Sequence, residues 1–143
     1  MRKANVIRAS EVKTLYVDET YSSKMLIDRT NSDTHNTQIN MGIVAPGARH
    51  ADHNHPTEYD EFYLVIKGQG MVRLDGQEHD LLPGDVAFIP GGSYHAIANT
   101  SDTEELVIFT VWPTHPQEGA NTVYDQRIRE WGKTYVTVHE STE

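Results

Sequence analysis

The stretch GARHADHNHPTEYDEFYLVIKG, Gly47 to Gly68, constrains this chain more than any other, because it offers His53, His55 and Glu61 as three potential metal ligands. On an extended strand, residues two apart share a face, so the imidazoles of His53 and His55 come together there, whereas on a helix they diverge. The residues that follow, EFYLVIK, are rich in β-branched and aromatic types, which favour a pleated surface. Glu61 therefore opens a strand beside the histidine pair, and two imidazoles and one carboxylate converge.

A second stretch, Gly84 to Asn99 (GDVAFIPGGSYHAIAN), adds His95 just after a Pro-Gly-Gly turn. Three histidines and a carboxylate suit a single borderline divalent transition metal, iron, manganese, nickel or zinc, better than calcium or a thiolate-loving ion. Four protein ligands on an octahedral ion leave two positions open. The chain contains no cysteine, which removes both thiolate ligation and a disulfide framework.

Taken together, these two stretches resemble the paired motifs of the cupin superfamily. Its first motif is a glycine, five residues, His-x-His, three or four residues, a glutamate, six residues and a glycine; Gly47, His53, His55, Glu61 and Gly68 fill those places. One departure is that five residues separate His55 from Glu61. Asp60 stands at the usual spacing from the histidine and Glu61 at the usual spacing from the closing glycine. Strand register is set downstream, where a slip of one residue turns a side chain to the other face, and this favours Glu61 as the ligand with Asp60 as the alternative. The second motif, glycine, five residues, Pro-x-Gly, two residues, histidine, three residues, asparagine, is met without a gap by Gly84, Pro90, Gly92, His95 and Asn99. Only fifteen residues, Gln69 to Pro83, separate the motifs, as in compact members with one cupin domain. The resemblance implies an all-β fold, a double-stranded β-helix or jelly-roll barrel, spanning residues 1–143 as one cupin domain.

Periodicity leads independently to an all-β sandwich or barrel. Val12–Val17 and Ser22–Ile27 read as short strands, and Asp28–Asn36, dense in turn formers, as an exposed loop. In Thr37–Val44, Ile39, Met41 and Ile43 alternate with polar or small neighbours, the pattern of a strand with one buried face. Asp75-Gly76 between alternating apolar positions is the strongest hairpin signal in the chain. Val86–Ile89, His95–Ala98 and the apolar run Glu105–Trp112 supply further strands. Tyr124, Ile128 and Trp131 fall at helical spacing, with Asn121 or Thr122 as cap and Gly132 as stop, so a short C-terminal helix is expected over Asn121–Trp131. Tyr135–Val138 reads as a terminal strand, and by analogy with cupin dimers it is expected against a neighbouring subunit of a homodimer.

A formal charge of −9 argues against nucleic acid or an anionic membrane as partner. The amino-terminal MRKANVIRASEVK lacks an apolar core for export, so a soluble cytoplasmic protein is expected. Among the residues near the ligands, Tyr63 shares the face of Glu61 and His50 lies close to the histidine pair; both are candidates for proton transfer. Arg49 and Arg73 are the candidates for an anionic substrate group, and His35, His79, His115 and His139 read as surface residues.

Open positions on such a metal allow it to polarise a carbonyl, bind an enediolate, acidify a bound water or, as iron(II), bind dioxygen beside a chelating substrate. The resemblance implies a metal-dependent enzyme acting on an oxygen-rich small molecule, with dioxygenase chemistry first and isomerase or lyase chemistry second. A non-catalytic cupin that binds a small ligand through its metal is the alternative.

Overall fold

A computed structural model describes residues 1–28, 31–55, 57, 60–112 and 136–137. Among the described residues ten strands follow one another: β1 (Leu15–Tyr16), β2 (Tyr21–Ile27), β3 (Gln38–Val44), β4 (Glu61–Lys67), β5 (Gly70–Leu74), β6 (Gln77–Leu81), β7 (Val86–Ile89), β8 (His95–Asn99), β9 (Leu106–Trp112) and β10 (Val136–Thr137). Every pairing between them is antiparallel. Seven strands form one sheet in the order β10-β1-β2-β3-β9-β4-β7, and three form the other in the order β6-β5-β8. This is the jelly-roll barrel expected of the sequence.

The apolar alternation of both sheets meets in one core. Val44, Val65, Ile89, Leu106 and Ile108 are all buried there, with Val72, Leu81 and Ile97 from the smaller sheet. Burying side chains of this size is worth about 1.5–3 kcal/mol each, and this holds the two sheets face to face. The turn between β5 and β6 bears out its signal: Asp75 (φ 46°) and Gly76 (φ 85°) both adopt the left-handed backbone that matches the twist of a two-residue hairpin. Gly68 closes β4 at φ 83°, and a Cβ there would run into the carbonyl oxygen of Glu105. Only glycine fits that crossing of backbones.

Three expectations change. The first strand is shorter than Val12–Val17: a 3₁₀ turn at Ala9–Glu11 precedes it and Leu15–Tyr16 forms the strand. The terminal strand, described at Val136–Thr137, gains a partner within the chain, Leu15 opposite Thr137 and Tyr16 opposite Val136. The third concerns β3, where the polar and small residues Gln38, Asn40 and Gly42 are buried with Val44, while Ile39, Met41 and Ile43 are only half-buried. Alternation separates the two faces of a strand correctly here, but the inward face is the polar one. The helix expected over 121–131 lies outside the described residues.

Candidate metal centre

The segment ahead of β4 is anchored to β8. Arg49 bridges Ala98 and His53 bridges His95 in antiparallel fashion, with three residues between the bridges on one side and two on the other, so the register shifts between them. His53 and His95 exchange both backbone hydrogen bonds, at 2.9 and 2.8 Å. A bonded pair of this kind sets the two side chains beside each other. The Gly92 amide then donates to the His55 carbonyl at 2.9 Å, so the Pro-Gly-Gly turn fixes the second histidine of the pair.

The imidazoles converge accordingly. Ring centroids lie 4.2 Å apart for His53 and His95, 5.1 Å for His53 and His55, and 5.2 Å for His55 and His95. One ligand atom from each can be chosen so that all three fall within 4.8 Å of one another. Glu61, the first residue of β4, turns its buried carboxylate into the same space, Oε1 3.5 Å from His95 Nε2 and Oε2 3.7 Å from His55 Nε2. Asp60 is exposed and accepts a hydrogen bond from the Gly91 amide at 3.1 Å.

Electrostatics set the protonation of the cluster. His53 is pushed down to about 4, first by desolvation and then by the neighbouring His95 and His55, which outweigh the attraction of Glu61. At neutral pH it is therefore an uncharged donor. For His95, burial acts downward, but the Glu61 carboxylate and the Ser93 carbonyl outweigh it and raise the group above its ordinary value. His95 Nδ1 lies 3.0 Å from the Ser93 carbonyl, which can only accept, so Nδ1 carries a proton and Nε2 is the nitrogen turned toward Glu61. A second hydrogen bond of this type is how proteins orient a metal-binding imidazole. A buried carboxylate, a neutral His53 and an anchored His95 fit a divalent cation, and the three-histidine cluster can bind one.

The two proton-transfer candidates have different neighbours. Tyr63 is buried in β4 with its ring centroid 5.8 Å from that of His95. His50 stands edge-on to Tyr21 at 5.3 Å and outside the three-histidine cluster. Desolvation lowers its proton affinity, opposed by Asp18. Arg73 is engaged with Asp52 at 2.9 Å, and Arg49 is exposed. His35 and His79 are exposed as expected, and His115 and His139 lie outside the described residues. Asn99, the last residue of the second motif, is structural: its amide donates to the Val44 and Glu104 carbonyls at 3.0 and 2.7 Å and accepts from the Ser101 amide.

Sequence reasoning missed a polar row beside the centre. Tyr63 on β4, Thr110 on β9 and Asn40 on β3 are successive cross-strand partners, and all three are buried. The signal was a single threonine in an otherwise apolar strand and an asparagine in a strand of clean alternation.

Comparison with known proteins gives one family and many fold neighbours. The family described as "Cupin domain" matches residues 40–112. Protein SchB of Streptomyces halstedii is 31% identical over 94 residues, which is 66% of this chain and 67% of that protein. Polyketide synthase CurC of Streptomyces cyaneus is 29% identical over 106 residues, 73% of this chain and 68% of its own. The crystal structure of the polyketide cyclase RemF from Streptomyces resistomycificus superposes with a TM-score of 0.68 at 17% identity, covering 90% of this chain and 94% of that one. At that identity the likeness is one of fold.

Proposed function

This chain belongs to the cupin family, and on that premise we propose that it is a metal-dependent enzyme acting on an oxygen-rich small molecule that chelates the ion through neighbouring oxygens. The observation that carries the proposal is the convergence of His53, His55 and His95, with ligand atoms within 4.8 Å, on the buried carboxylate of Glu61. In this reading these four residues hold one divalent ion and leave positions for two substrate oxygens. Such an ion, when bound, acts as a Lewis acid on a carbonyl or enediolate, or, if it is iron(II), as a site for dioxygen. In this reading Tyr63 from β4 and His50 from the segment ahead of it are the groups that move a proton.

Two reaction classes share this arrangement. Oxygenation of a diketone or catechol-like substrate needs iron, whereas isomerisation, lyase chemistry or cyclisation needs only polarisation. The name of CurC as a polyketide synthase supports a substrate with repeated carbonyl or phenol oxygens, which is well suited to chelation. The reading includes a homodimer. Phe62 and Leu64 on β4 pair with Phe88 and Val86 on β7, the last strand of the larger sheet, and Val86 and Phe88 are 57% and 62% exposed. An apolar outer face on an open edge is the surface a second copy would cover.

The test is elemental analysis of the purified protein beside His53→Ala and His95→Ala. The expected result is near-stoichiometric iron, manganese, nickel or zinc in the wild type and loss of both metal and turnover in the variants. Iron directs oxygen-uptake assays with diketones and catechols; the other ions direct cyclisation, isomerase and lyase assays. Full activity without metal, or no metal after anaerobic reconstitution, ends the proposal.

A further inference from the structure

The barrel interior changes character along its length. Toward one end it is filled by Val44, Val65, Leu106 and Ile108, and toward the metal cluster it carries Asn40 and Thr110 instead. Both are buried, at 0% and 3% exposure, and they sit opposite each other on β3 and β9. Neither Asn40 Oδ1 nor Thr110 Oγ1 makes a hydrogen bond among the described residues, and the buried Nε2 of His50 likewise makes none. Leaving such atoms unpaired costs about 1–3 kcal/mol each, so the facing pair Asn40 and Thr110 marks a place built to receive a polar partner.

These groups are linked to one another and to the cluster. His50 packs edge-on against Tyr21, whose hydroxyl accepts a hydrogen bond from Asn40 Nδ2 at 3.4 Å. Asn40 faces Thr110, Thr110 faces Tyr63, and the Tyr63 ring lies against His95. Cross-strand partners have Cβ atoms about 5 Å apart, so a single hydroxyl can reach both Asn40 and Thr110. Gly42 makes room for this arrangement, since a Cβ there would come within 2.7 Å of the Tyr21 hydroxyl. The groups are also neutral: an amide oxygen, a hydroxyl and an imidazole whose charged form burial disfavours. An anion buried among them would lack a counter-charge, whereas an alcohol or phenol both donates to Asn40 Oδ1 and accepts from Thr110.

We infer that Asn40 and Thr110 form a hydrogen-bonding subsite that holds an uncharged hydroxyl of the molecule chelated at the three-histidine cluster. The protein thereby selects chelators bearing a further hydroxyl over their deoxygenated analogues. This rests on the chelation reading above and adds to it a rule of substrate choice.

The experiment is calorimetric titration of the metal-loaded protein with two catechols that differ by one hydroxyl, 4-ethylcatechol and 4-(2-hydroxyethyl)catechol. The wild type is expected to bind the hydroxyethyl compound about tenfold more tightly, the worth of one well-made hydrogen bond. Thr110→Val, which keeps the shape and removes the hydroxyl, and Asn40→Leu are expected to abolish most of that preference with metal content and 4-ethylcatechol affinity unchanged. Thr110→Ser is expected to keep it. Equal affinity of the wild type for the two probes, or a preference that survives in Thr110→Val, overturns the inference and leaves the chelation reading standing. A wild type that retains no metal removes both. A crystal structure of the loaded complex gives a second readout: the probe hydroxyl against Thr110 and Asn40 supports the subsite, and an ordered water left undisturbed there overturns it.

Discussion

Glu61 and Asp60 are adjacent in the chain, yet one carboxylate is buried against two imidazoles and the other is held at the surface by the Gly91 amide. The sequence left both in play because the loop after His55 is longer than the motif allows; strand register favoured Glu61, and β4 begins at that residue with its side chain inward. If Glu61 is the ligand, Glu61→Gln lowers metal affinity by about tenfold or more, while Asp60→Asn, whose amide oxygen still accepts from Gly91, leaves metal content and stability nearly unchanged. Metal lost from Asp60→Asn and retained by Glu61→Gln would reverse the assignment. Gly68 offers a purely structural counterpart. Its left-handed backbone and its contact with the Glu105 carbonyl make Gly68→Ala destabilising by about 3 kcal/mol, read as a shift in urea midpoint. A midpoint within error of wild type would show that β4 and the loop before β9 can separate at no cost.

The strands were legible where chemistry forces them: β4, β7, β8 and β9 fall within a residue of the segments that pattern and turns define, and the Asp75-Gly76 turn joins β5 and β6. What the pattern withheld was direction. In β3 the apolar residues were the natural candidates for the core, but the interior beside a metal cluster is where polar groups are needed, so Gln38 and Asn40 point inward and the isoleucines outward. Thr110 was hidden for the complementary reason, since one hydroxyl in an apolar run does not disturb its periodicity. Its neighbour on the same inward face, Ile108, is 1% exposed and packs in the apolar part of the barrel. Ile108→Ala therefore removes about 2–5 kcal/mol from the free energy of unfolding, measured by denaturant titration. A loss below about 1 kcal/mol would mean that the site collapses around the smaller residue.

At the scale of the molecule, the cluster ties stability to pH. In the metal-free protein, His53 and His50 are held below the ordinary histidine value of 6.5, so protons bind the unfolded chain first and stability falls with acid, for His53 down to about 4. His95 is held above 6.5, so its contribution is present in acid and is lost as pH rises through its folded value. Urea midpoints across this range should therefore pass through a maximum; a monotonic curve would show that the burial of these rings is not maintained in solution. Assembly is the other property of this scale. If the outer face of β4 and β7 joins two copies, Phe88→Glu turns a dimer into a monomer by light scattering and keeps its metal, whereas a wild type that is already monomeric removes the dimer from the reading. The fold and the histidines were readable because both motifs are local strings, while assembly depends on surfaces that no string records. One detail of the backbone has a wider reach. His53 and His95 are joined by two main-chain hydrogen bonds across a long excursion of the chain, and their imidazoles meet above that junction. An ion held there is a removable cross-link: it closes the same loop from the side-chain side and draws the unfolded ensemble toward the native one in proportion to its concentration. A cell's supply of that ion would then set how long the protein survives proteolysis as well as how fast it works.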